Sequence, residues 1–347
     1  MADNSAQLLD QVQGALAAGT PLFIHGGQSK LHLGRKVQGQ PLDTRSHQGV
    51  VSYDPTELII TVRAGTPLHE LEAVLAEQGQ CLPCEPPHLG ASATVGGMLA
   101  TGLAGPRRPW AGSVRDFVLG TRLITGHGKH LKFGAEVMKN VAGYDVSRLL
   151  AGSHGCLGVI TEVSLKVLPK ARAVANLRLQ VDLAEALQRL AEWGQQPLPI
   201  SAACHDGEAL HLRLEGGEGS VAAARDRLGC ETVEPGFWEA LKEQRAPFFQ
   251  DARPLWRLSL PLAAGDLNLV GEQWADWGGA QRWLKTDASA EQVRAMAAGA
   301  GGHAVCYSGQ HAPFHPLPAA LLRYHQQLKA SLDPQGIFNP GRMYAEL

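Results

Sequence analysis

Apolar residues recur along the chain at two spacings, one typical of helices and one typical of strands. Residues 6–18 place Leu8, Val12 and Leu16 on one side of a helix. Pro67 and Gly79 mark the start and the stop of a second helix, at 68–78. The same reasoning predicts these further elements of the first half: strands at 22–24, 58–62, 116–124, 129–133 and 159–167, and a helix at 146–150.

The pattern in the second half predicts a smaller α+β domain on an antiparallel sheet. Strands are expected at 174–181 and 209–214, and helices at 183–193 and 220–228. The connecting segment is 169–172. We therefore expect domains at 1–171 and 172–320, with a C-terminal segment, 321–347, that packs back on the first domain.

The strand at 159–167 comes directly after a glycine-rich loop. Its alternation places Val163, Leu165 and Val167 on one face, as a half-buried strand requires. The preceding loop carries glycines at 152, 155 and 158. Glycines three apart let backbone groups approach a ligand without an intervening Cβ, and a nucleotide is the usual ligand of such backbone. A purely structural turn is the equal alternative.

Two earlier loops are also rich in small residues. The first, HGGQSK at 25–30, follows a short strand and can form an anion-binding nest, although it matches neither the P-loop nor the G-x-G-x-x-G spacing. The second, at 90–102, carries hydroxyls at Ser92, Thr94 and Thr101 that can donate to phosphate or ring oxygens. Its alternative interpretation is a helix that packs closely through small residues.

Composition narrows the class of protein. With 31 Lys and Arg against 33 Asp and Glu, the 347-residue chain has no basic excess typical of a nucleic-acid binder. No apolar run has membrane-spanning length, and the N-terminal sequence lacks a signal pattern, so we expect a cytoplasmic protein that reaches the inner membrane only through partners. Among six cysteines only Cys81 and Cys84 are close, and no second pair completes a metal site, so no metal is expected.

Four segments and their order resemble the FAD-binding domain of the vanillyl-alcohol-oxidase/PCMH flavoprotein family. The segments are HGGQSK (25–30), ASATVGGMLATG (91–102), GSVRDFVLG (112–120) and VMKNVAGYDVSRLLAGSHGCLGVITEVSLKVLP (137–169). The closing DPQGIFNPGR (333–342) is similar to the family's C-terminal motif. The resemblance implies an α+β fold: a PCMH-type two-subdomain FAD-binding domain, then a smaller α+β cap domain with an antiparallel sheet, and a C-terminal return segment.

The resemblance also implies which residues contact FAD. The first loop wraps the pyrophosphate, the second lies along pyrophosphate and flavin, the Ile160 backbone meets the adenine, and the C-terminal motif lies near the isoalloxazine. The implied residues are Gly26, Gly27, Gln28, Ser29, Lys30, Ala93, Thr94, Val95, Gly96, Gly97, Thr101, Ser113, Gly152, Gly155, Gly158, Ile160, Asn339 and Arg342.

Departures from the family pattern are informative. Family members with covalent flavin carry a His just after the first glycines, where this chain has Gln28 and Ser29, so the resemblance implies non-covalent FAD. The cap lacks the H-x-G-D-G-N-x-H metal motif of larger 2-hydroxy-acid dehydrogenases. His303, His311 and His315 are expected to be loop histidines, and Arg245, Arg253 and Arg257 need no carboxylate-binding role.

The activity follows from the same resemblance. The run at 137–153 is most similar to FAD-binding subunits of bacterial glycolate oxidases, which implies oxidation of glycolate to glyoxylate beside a second flavoprotein subunit and an iron–sulfur subunit. No catalytic base is identified in this chain. The alternative is a free-standing FAD-dependent oxidoreductase that acts on another small 2-hydroxy acid or alcohol through its own cap. A third possibility is an assembly protein that keeps the fold without a redox role.

Overall fold

A computed structural model describes residues 3–134, 145–267, 269–308 and 311–347. The chain forms two compact units. Unit 1 comprises Met1–Ala104, Ser113–Pro169 and Pro316–Leu347, and unit 2 comprises Gly105–Gly112 and Lys170–His315. The motif residues 137–144 lie outside the described residues.

The described residues include twelve α-helical segments: α1 (Ser5–Ala18), α2 (Leu68–Glu77), α3 (Val95–Thr101), α4 (Arg108–Ala111), α5 (Val114–Phe117), α6 (Val146–Leu149), α7 (Leu183–Trp193), α8 (Glu218–Leu228), α9 (Gly236–Lys242), α10 (Pro247–Gln250), α11 (Ala290–Gly299) and α12 (Ala319–Leu332). In that part of the chain every helix is too short or too polar to cross a bilayer.

The strands of the same residues are β1 (Leu22–His25), β2 (Gln40–Asp43), β3 (Val50–Asp54), β4 (Ile59–Arg63), β5 (Gln80–Cys81), β6 (Val118–Ile124), β7 (His130–Gly134), β8 (Val159–Lys166), β9 (Leu168–Pro169), β10 (Ala173–Leu179), β11 (Ile200–His205), β12 (Leu210–Gly216), β13 (Glu231–Thr232), β14 (Leu255–Ser259), β15 (Glu272–Asp276), β16 (Gln281–Lys285) and β17 (His303–Cys306).

Unit 1 contains a five-stranded antiparallel sheet in the order β3-β4-β8-β6-β7. The strand β8 lies at its centre. It is buried on both faces, because Ser164 is as inaccessible as its neighbours Val163 and Leu165. The expectation of a half-buried strand is therefore wrong. The buried hydroxyl of Ser164 is satisfied by Thr61 of β4 at 2.8 Å.

A separate parallel pair, β1-β2, carries the first glycine loop at its end. The C-terminal segment extends this pair, since Leu22 forms a parallel bridge with Phe338. Leu22 and Phe338 belong to a core cluster with Leu8 and Val12 of α1 and Val159 of β8. Strand β1, which carries the first loop, and the central strand β8 are therefore anchored in one hydrophobic core.

The predicted strand at 116–124 is too long at its N-terminal end. Residues 114–117 form α5, because Ser113 and Asp116 make a capping box in which each side chain bonds to the other residue's backbone. The strand begins only at Val118.

The second small-residue stretch contains the helix α3, in agreement with its packing interpretation. Thr94 caps the helix by accepting a hydrogen bond from the Gly97 N–H at 3.2 Å. A Cβ at Gly96 would lie 2.8 Å from the Ala64 Cβ, so the close approach of α3 to the end of β4 requires glycine.

Unit 2 is built on an eight-stranded antiparallel sheet in the order β13-β10-β12-β11-β15-β16-β14-β17. The sequence analysis predicted only β10 and β12 of these strands. Residues 105–112, which the sequence places in the first domain, belong to this unit: the Trp277 indole donates to the Gly105 carbonyl at 3.0 Å, and Arg108 lies over the Trp277 ring. The α+β fold with an antiparallel cap sheet and a C-terminal return is confirmed.

Candidate functional site: a glycine-lined cleft in unit 1

A cleft opens in unit 1 where the loops after β1, before α3 and before β8 meet. It encloses about 770 Å³ of space, which includes open solvent at its mouth. Fourteen of the predicted cofactor residues line it: Gly26, Gly27, Gln28, Ser29, Lys30, Thr94, Gly96, Gly97, Thr101, Gly155, Gly158, Ile160, Asn339 and Arg342.

The first loop presents backbone donors to this cleft. Gln28 adopts a left-handed conformation with φ of 60°, which turns the chain sharply after β1. Within the described residues, the N–H groups of Gly27, Gln28 and Ser29 have no acceptor. Such consecutive free donors form a concave site for an anion.

The first and second loops are pressed together by their glycines. A Cβ at Gly26 would lie 2.4 Å from the Thr94 Oγ1, and one at Gly27 would lie 1.4 Å from the Ser92 carbonyl oxygen. The Ser92 hydroxyl donates back to the Gly27 carbonyl. The packing of the two loops against each other therefore requires glycine at both positions. The lack of side chains also leaves the loop open toward the cleft.

The third loop is shaped by protein atoms in the same way. Gly155 has φ of 73°, and a Cβ there would lie 2.6 Å from the Asn339 Nδ2. A Cβ at Gly158 would lie 2.7 Å from the Leu123 side chain. The expectation that these glycines leave space for a nucleotide is thus incomplete, because each space is already taken by a side chain.

Asn339 joins the first strand to the third loop. Its Oδ1 accepts from the Ile24 N–H at 2.7 Å, and its Nδ2 donates to the His154 carbonyl at 2.8 Å. Asn339 is itself in a left-handed conformation, with φ of 41°. Its amide is therefore used to hold two walls of the cleft at a fixed separation.

A buried ion pair supports the motif that carries Asn339. The Lys329 ammonium donates to the Asp333 carboxylate at 2.7 Å and to the carbonyls of Cys156 and Phe338 at 2.8 and 2.6 Å. The Asp333 carboxylate in turn accepts from the backbone N–H groups of Ile337 and Phe338. Every charge in this network is hydrogen-bonded, as a buried ion pair requires.

The cationic side chains at the cleft have protein partners. Arg342 donates to the carbonyls of Arg35 and Leu31 at 2.7 and 2.9 Å, and the Lys30 ammonium donates to the His88 carbonyl at 2.9 Å. Burial, together with the charges of Lys30 and Arg342, lowers the pKa of His32. The neighbourhood of the first loop is therefore positively charged and suits an anionic ligand.

Four predicted residues lie elsewhere in the structure. The backbone of Ala93 bonds to Leu68, and Val95 is a core residue whose N–H donates to the Thr66 carbonyl. Ser113 caps α5. Gly152 donates to the Leu99 carbonyl and lines a second cavity described below.

The cleft also contains residues that the sequence analysis did not assign to it: Phe23, Ile24, His25, Leu31, Thr44, Ala100 and His154. The first four flank the first loop and were detectable by position. His154, between two motif glycines and at φ of 51°, was detectable by its location in the third loop. Thr44 follows β2, which carries no motif, and only the parallel pairing with β1 brings it to the cleft.

The histidines and arginines of unit 2 have ordinary surroundings. Arg245 pairs with Glu239, Arg253 pairs with Asp251 and Glu272, and Arg257 lies over the Tyr307 ring. His311 stacks on Trp256, and the rings of His303 and His315 lie 6.5 Å apart. Among the described residues no group of three potential ligands surrounds a metal position.

The class of protein follows from the cleft and from its sequence. Residues 1–134 match the family model described as an FAD binding domain. Alkyldihydroxyacetonephosphate synthase has a similar solved structure, with a TM-score of 0.70 over 96% of this chain and 75% of that chain; at 16% identity the likeness is one of fold. The predicted resemblance to FAD-binding flavoproteins is confirmed.

A relative that is matched along its whole length gives the particular family. The glycolate oxidase subunit GlcE of Escherichia coli (strain K12) is 61% identical over 99% of both chains. The glycolate oxidase subunit GlcD of Bacillus subtilis (strain 168) is 32% identical over 35% of this chain and 26% of its own length. The chain belongs to the family of the glycolate oxidase subunit GlcE.

Proposed function

We propose that this chain is the FAD-binding subunit of a multisubunit glycolate oxidase, which oxidises glycolate to glyoxylate. The observation that carries the proposal is the 61% identity to the E. coli GlcE subunit over 99% of both chains. Identity at this level, spread over both units, extends well beyond the FAD-binding segment of residues 1–134.

The cleft in unit 1 fits FAD. The free N–H groups of Gly27, Gln28 and Ser29 match a pyrophosphate, and the side chains of Phe23, Ile24 and Leu31 supply an apolar wall. When bound, FAD would supply a redox centre that accepts and passes on electrons. The chain's own residues bind and orient this cofactor.

Each part of the cleft has a proposed task. The first loop holds the pyrophosphate, Thr94 and Thr101 lie along it, and the Ile160 backbone meets the adenine. Asn339 and Arg342 act through the geometry of the walls, because their polar atoms already bond to the chain. We propose non-covalent attachment, since Gln28 and Ser29 stand where a flavinylated His would follow the glycines.

We propose that the oxidation of the substrate is shared between this chain and its partner subunits. A 2-hydroxy-acid oxidation needs a base for the hydroxyl proton and a cation for the carboxylate. Among the described residues of unit 1, Lys30 and Arg342 at the cleft are both engaged with backbone carbonyls. We therefore assign substrate chemistry to a second flavoprotein subunit and electron acceptance to an iron–sulfur subunit. The complex is placed in the cytoplasm, with contact to the inner membrane through its partners.

Anaerobic reduction tests this proposal. The chain would be purified alone and together with the other subunits, and its flavin absorbance followed after glycolate addition. We expect bound flavin in both preparations and reduction only in the complex. A chain without flavin would refute the cofactor assignment, and reduction of the chain alone would establish a free-standing oxidoreductase instead.

Acid precipitation tests the mode of attachment. Non-covalent FAD is released into the supernatant when the protein is denatured. Flavin that stayed in the washed pellet would contradict non-covalent binding.

A further inference from the structure

The C-terminal helix α12 exposes most of its apolar side chains. Among its 14 residues only Lys329 is buried. Leu321 and Tyr324 are 48% and 62% exposed, and Leu328 continues the same face one turn further on. Residues at such i, i+3 and i+7 positions form one apolar stripe along a helix. Large apolar side chains grouped in this way mark an interaction surface.

A second cavity of unit 1 adjoins this stripe. It encloses about 1160 Å³ of space, open to solvent, and Leu328 of α12 lines it together with Leu149, Leu157 and Met343. The buried hydroxyl of Ser153 also lines the cavity and has no hydrogen-bond partner among the residues that the structure describes. A buried polar group without a partner is costly, so the cavity favours an occupant that can bond to this hydroxyl.

The surroundings of the stripe are positively charged. The helix α12 carries Arg323 and His325 and no Asp or Glu, while its Lys329 is buried and paired with Asp333. Arg115 lines the cavity, is exposed, and forms no ion pair with any residue in the described ranges. Arg148 contributes a second guanidinium, which lies 3.3 Å from the Asp145 carboxylate. The exposed guanidinium of Arg115 beside an apolar stripe is complementary to an apolar segment that carries a carboxylate.

We propose that the α12 stripe and the adjoining cavity form the docking surface for another subunit of the glycolate oxidase complex. The occupant is a segment with apolar side chains, which cover Leu321 and Tyr324, and a carboxylate, which enters the cavity toward Arg115 and Ser153. A second copy of this chain is disfavoured, because a symmetric contact would place the basic face of α12 against itself. This inference rests on the proposed function, because the complex itself is part of that proposal.

Co-purification of the intact complex tests the surface. The tagged chain would be co-expressed with the other glycolate oxidase subunits and carry Leu321→Glu with Tyr324→Glu. We expect at least a tenfold loss of co-purified subunits with unchanged flavin content. The matched control is Leu262→Glu with Val270→Glu, two side chains of unit 2 that are 69% and 71% exposed. Assembly of the α12 variant at the wild-type level, or an equal loss in the control, would refute the docking surface.

Charge reversal tests the chemistry of the occupant. Arg115→Glu should weaken co-purification severalfold and invert its salt dependence, because added salt screens the new repulsion between carboxylates. Unchanged assembly in this variant would overturn the acidic occupant. Self-association of the isolated chain, measured by light scattering and abolished by the α12 variant, would assign the stripe to a second copy and refute the proposed partner.

The wild-type result separates the two proposals. If the wild-type chain captured no other subunit, the proposed function would fail and this inference with it. If the wild type assembled and the α12 variant assembled equally, only the docking surface would be refuted.

Discussion

The first and third glycine loops look alike in sequence but differ in what their glycines do. The glycines of the first loop are pressed against Ser92 and Thr94, while three of its backbone N–H groups have no acceptor among the described residues. In the third loop Asn339 and Leu123 occupy the space beside Gly155 and Gly158. The first loop therefore keeps backbone donors without an acceptor among the described residues, whereas the third loop is a wall that the protein itself holds in place.

This difference shows what a glycine pattern can and cannot indicate. A missing Cβ signals that some atom comes close, and the sequence does not tell whether that atom belongs to a ligand or to the chain. At the third loop the neighbour is a side chain from 184 positions away in the sequence, Asn339 against Gly155. The following variants test whether the two loops differ as described.

Gly27→Ala should have the largest effect. The new Cβ would lie 1.4 Å from the Ser92 carbonyl oxygen, and this backbone atom cannot move without separating the two loops. We expect a loss of at least about 4 kcal/mol in the free energy of unfolding, together with loss of bound flavin. Urea denaturation and the ratio of flavin to protein absorbance measure both. Full flavin occupancy in this variant would contradict the described contact of the loops.

Asn339→Ala should come next, and its combination with Gly155→Ala gives a sharper test. Removing the amide leaves the Ile24 N–H and the His154 carbonyl without their partner, at a cost of roughly 2–4 kcal/mol. Gly155→Ala alone should be costly because its Cβ meets the Asn339 Nδ2 at 2.6 Å. In the double variant this contact is gone. The loss in free energy of unfolding measured for the double variant should therefore be smaller than the sum of the two single-variant losses by about 1 kcal/mol or more. Strict additivity would contradict the Asn339 contact and would assign the cost of Gly155→Ala to its left-handed backbone, with φ of 73°.

The alkylation rate of the Cys156 thiol should show that the third loop is closed to solvent. Burial raises the pKa of its thiol to about 11, so at pH 8 the reactive thiolate is about a thousandth of the population. We expect alkylation at least about a hundredfold slower than at the half-buried Cys81, as measured by mass spectrometry of iodoacetamide-treated protein. Because the thiol gains reactivity as pH rises, the difference should narrow above pH 9. Comparable rates at pH 8 would contradict the closed loop.

Gly14→Ala is the matched glycine control and should have the smallest effect. Gly14 lies inside α1, and no atom is within 4 Å of the position that its Cβ would take. Alanine should therefore raise the free energy of unfolding by about 0.5–1 kcal/mol through helix propensity. Thermal unfolding measures this gain, and a destabilisation would show that packing around α1 is tighter than described.

The sequence predicted unit 1 better than unit 2, for physical reasons. The helix α1 follows a clear apolar period, strands β1 and β4 are short apolar runs, and the motif order led to the cleft. In contrast, β16 is buried at all five positions although it contains Gln281, Arg282 and Lys285, and such a strand carries no apolar alternation. The strand β11 consists mainly of Ser, Ala and Cys, which are weak strand formers.

The residues that complete the cleft were harder to predict for a similar reason. Thr44 carries no local signal, and its place at the cleft depends on the pairing of β1 with β2. The tasks of Asn339 and Arg342 as clamps were not visible, because their partners Ile24 and Leu31 lie more than 300 positions away. The motif identified these residues, and only the structure shows what they contact.

The pairing of β1 with the C-terminal segment has a consequence for synthesis of the chain. The Leu22 N–H donates to the Ile337 carbonyl at 2.7 Å, and the Ile24 N–H donates to the Asn339 side chain. At roughly 5–20 residues per second, a ribosome needs roughly 15–60 s to make the 315 residues between them. Unit 2 is nearly continuous in sequence and is free to fold during that interval. A chain released before Ile337 would keep β1 without this partner, so this wall of the cleft forms only after the ribosome has passed Asn339.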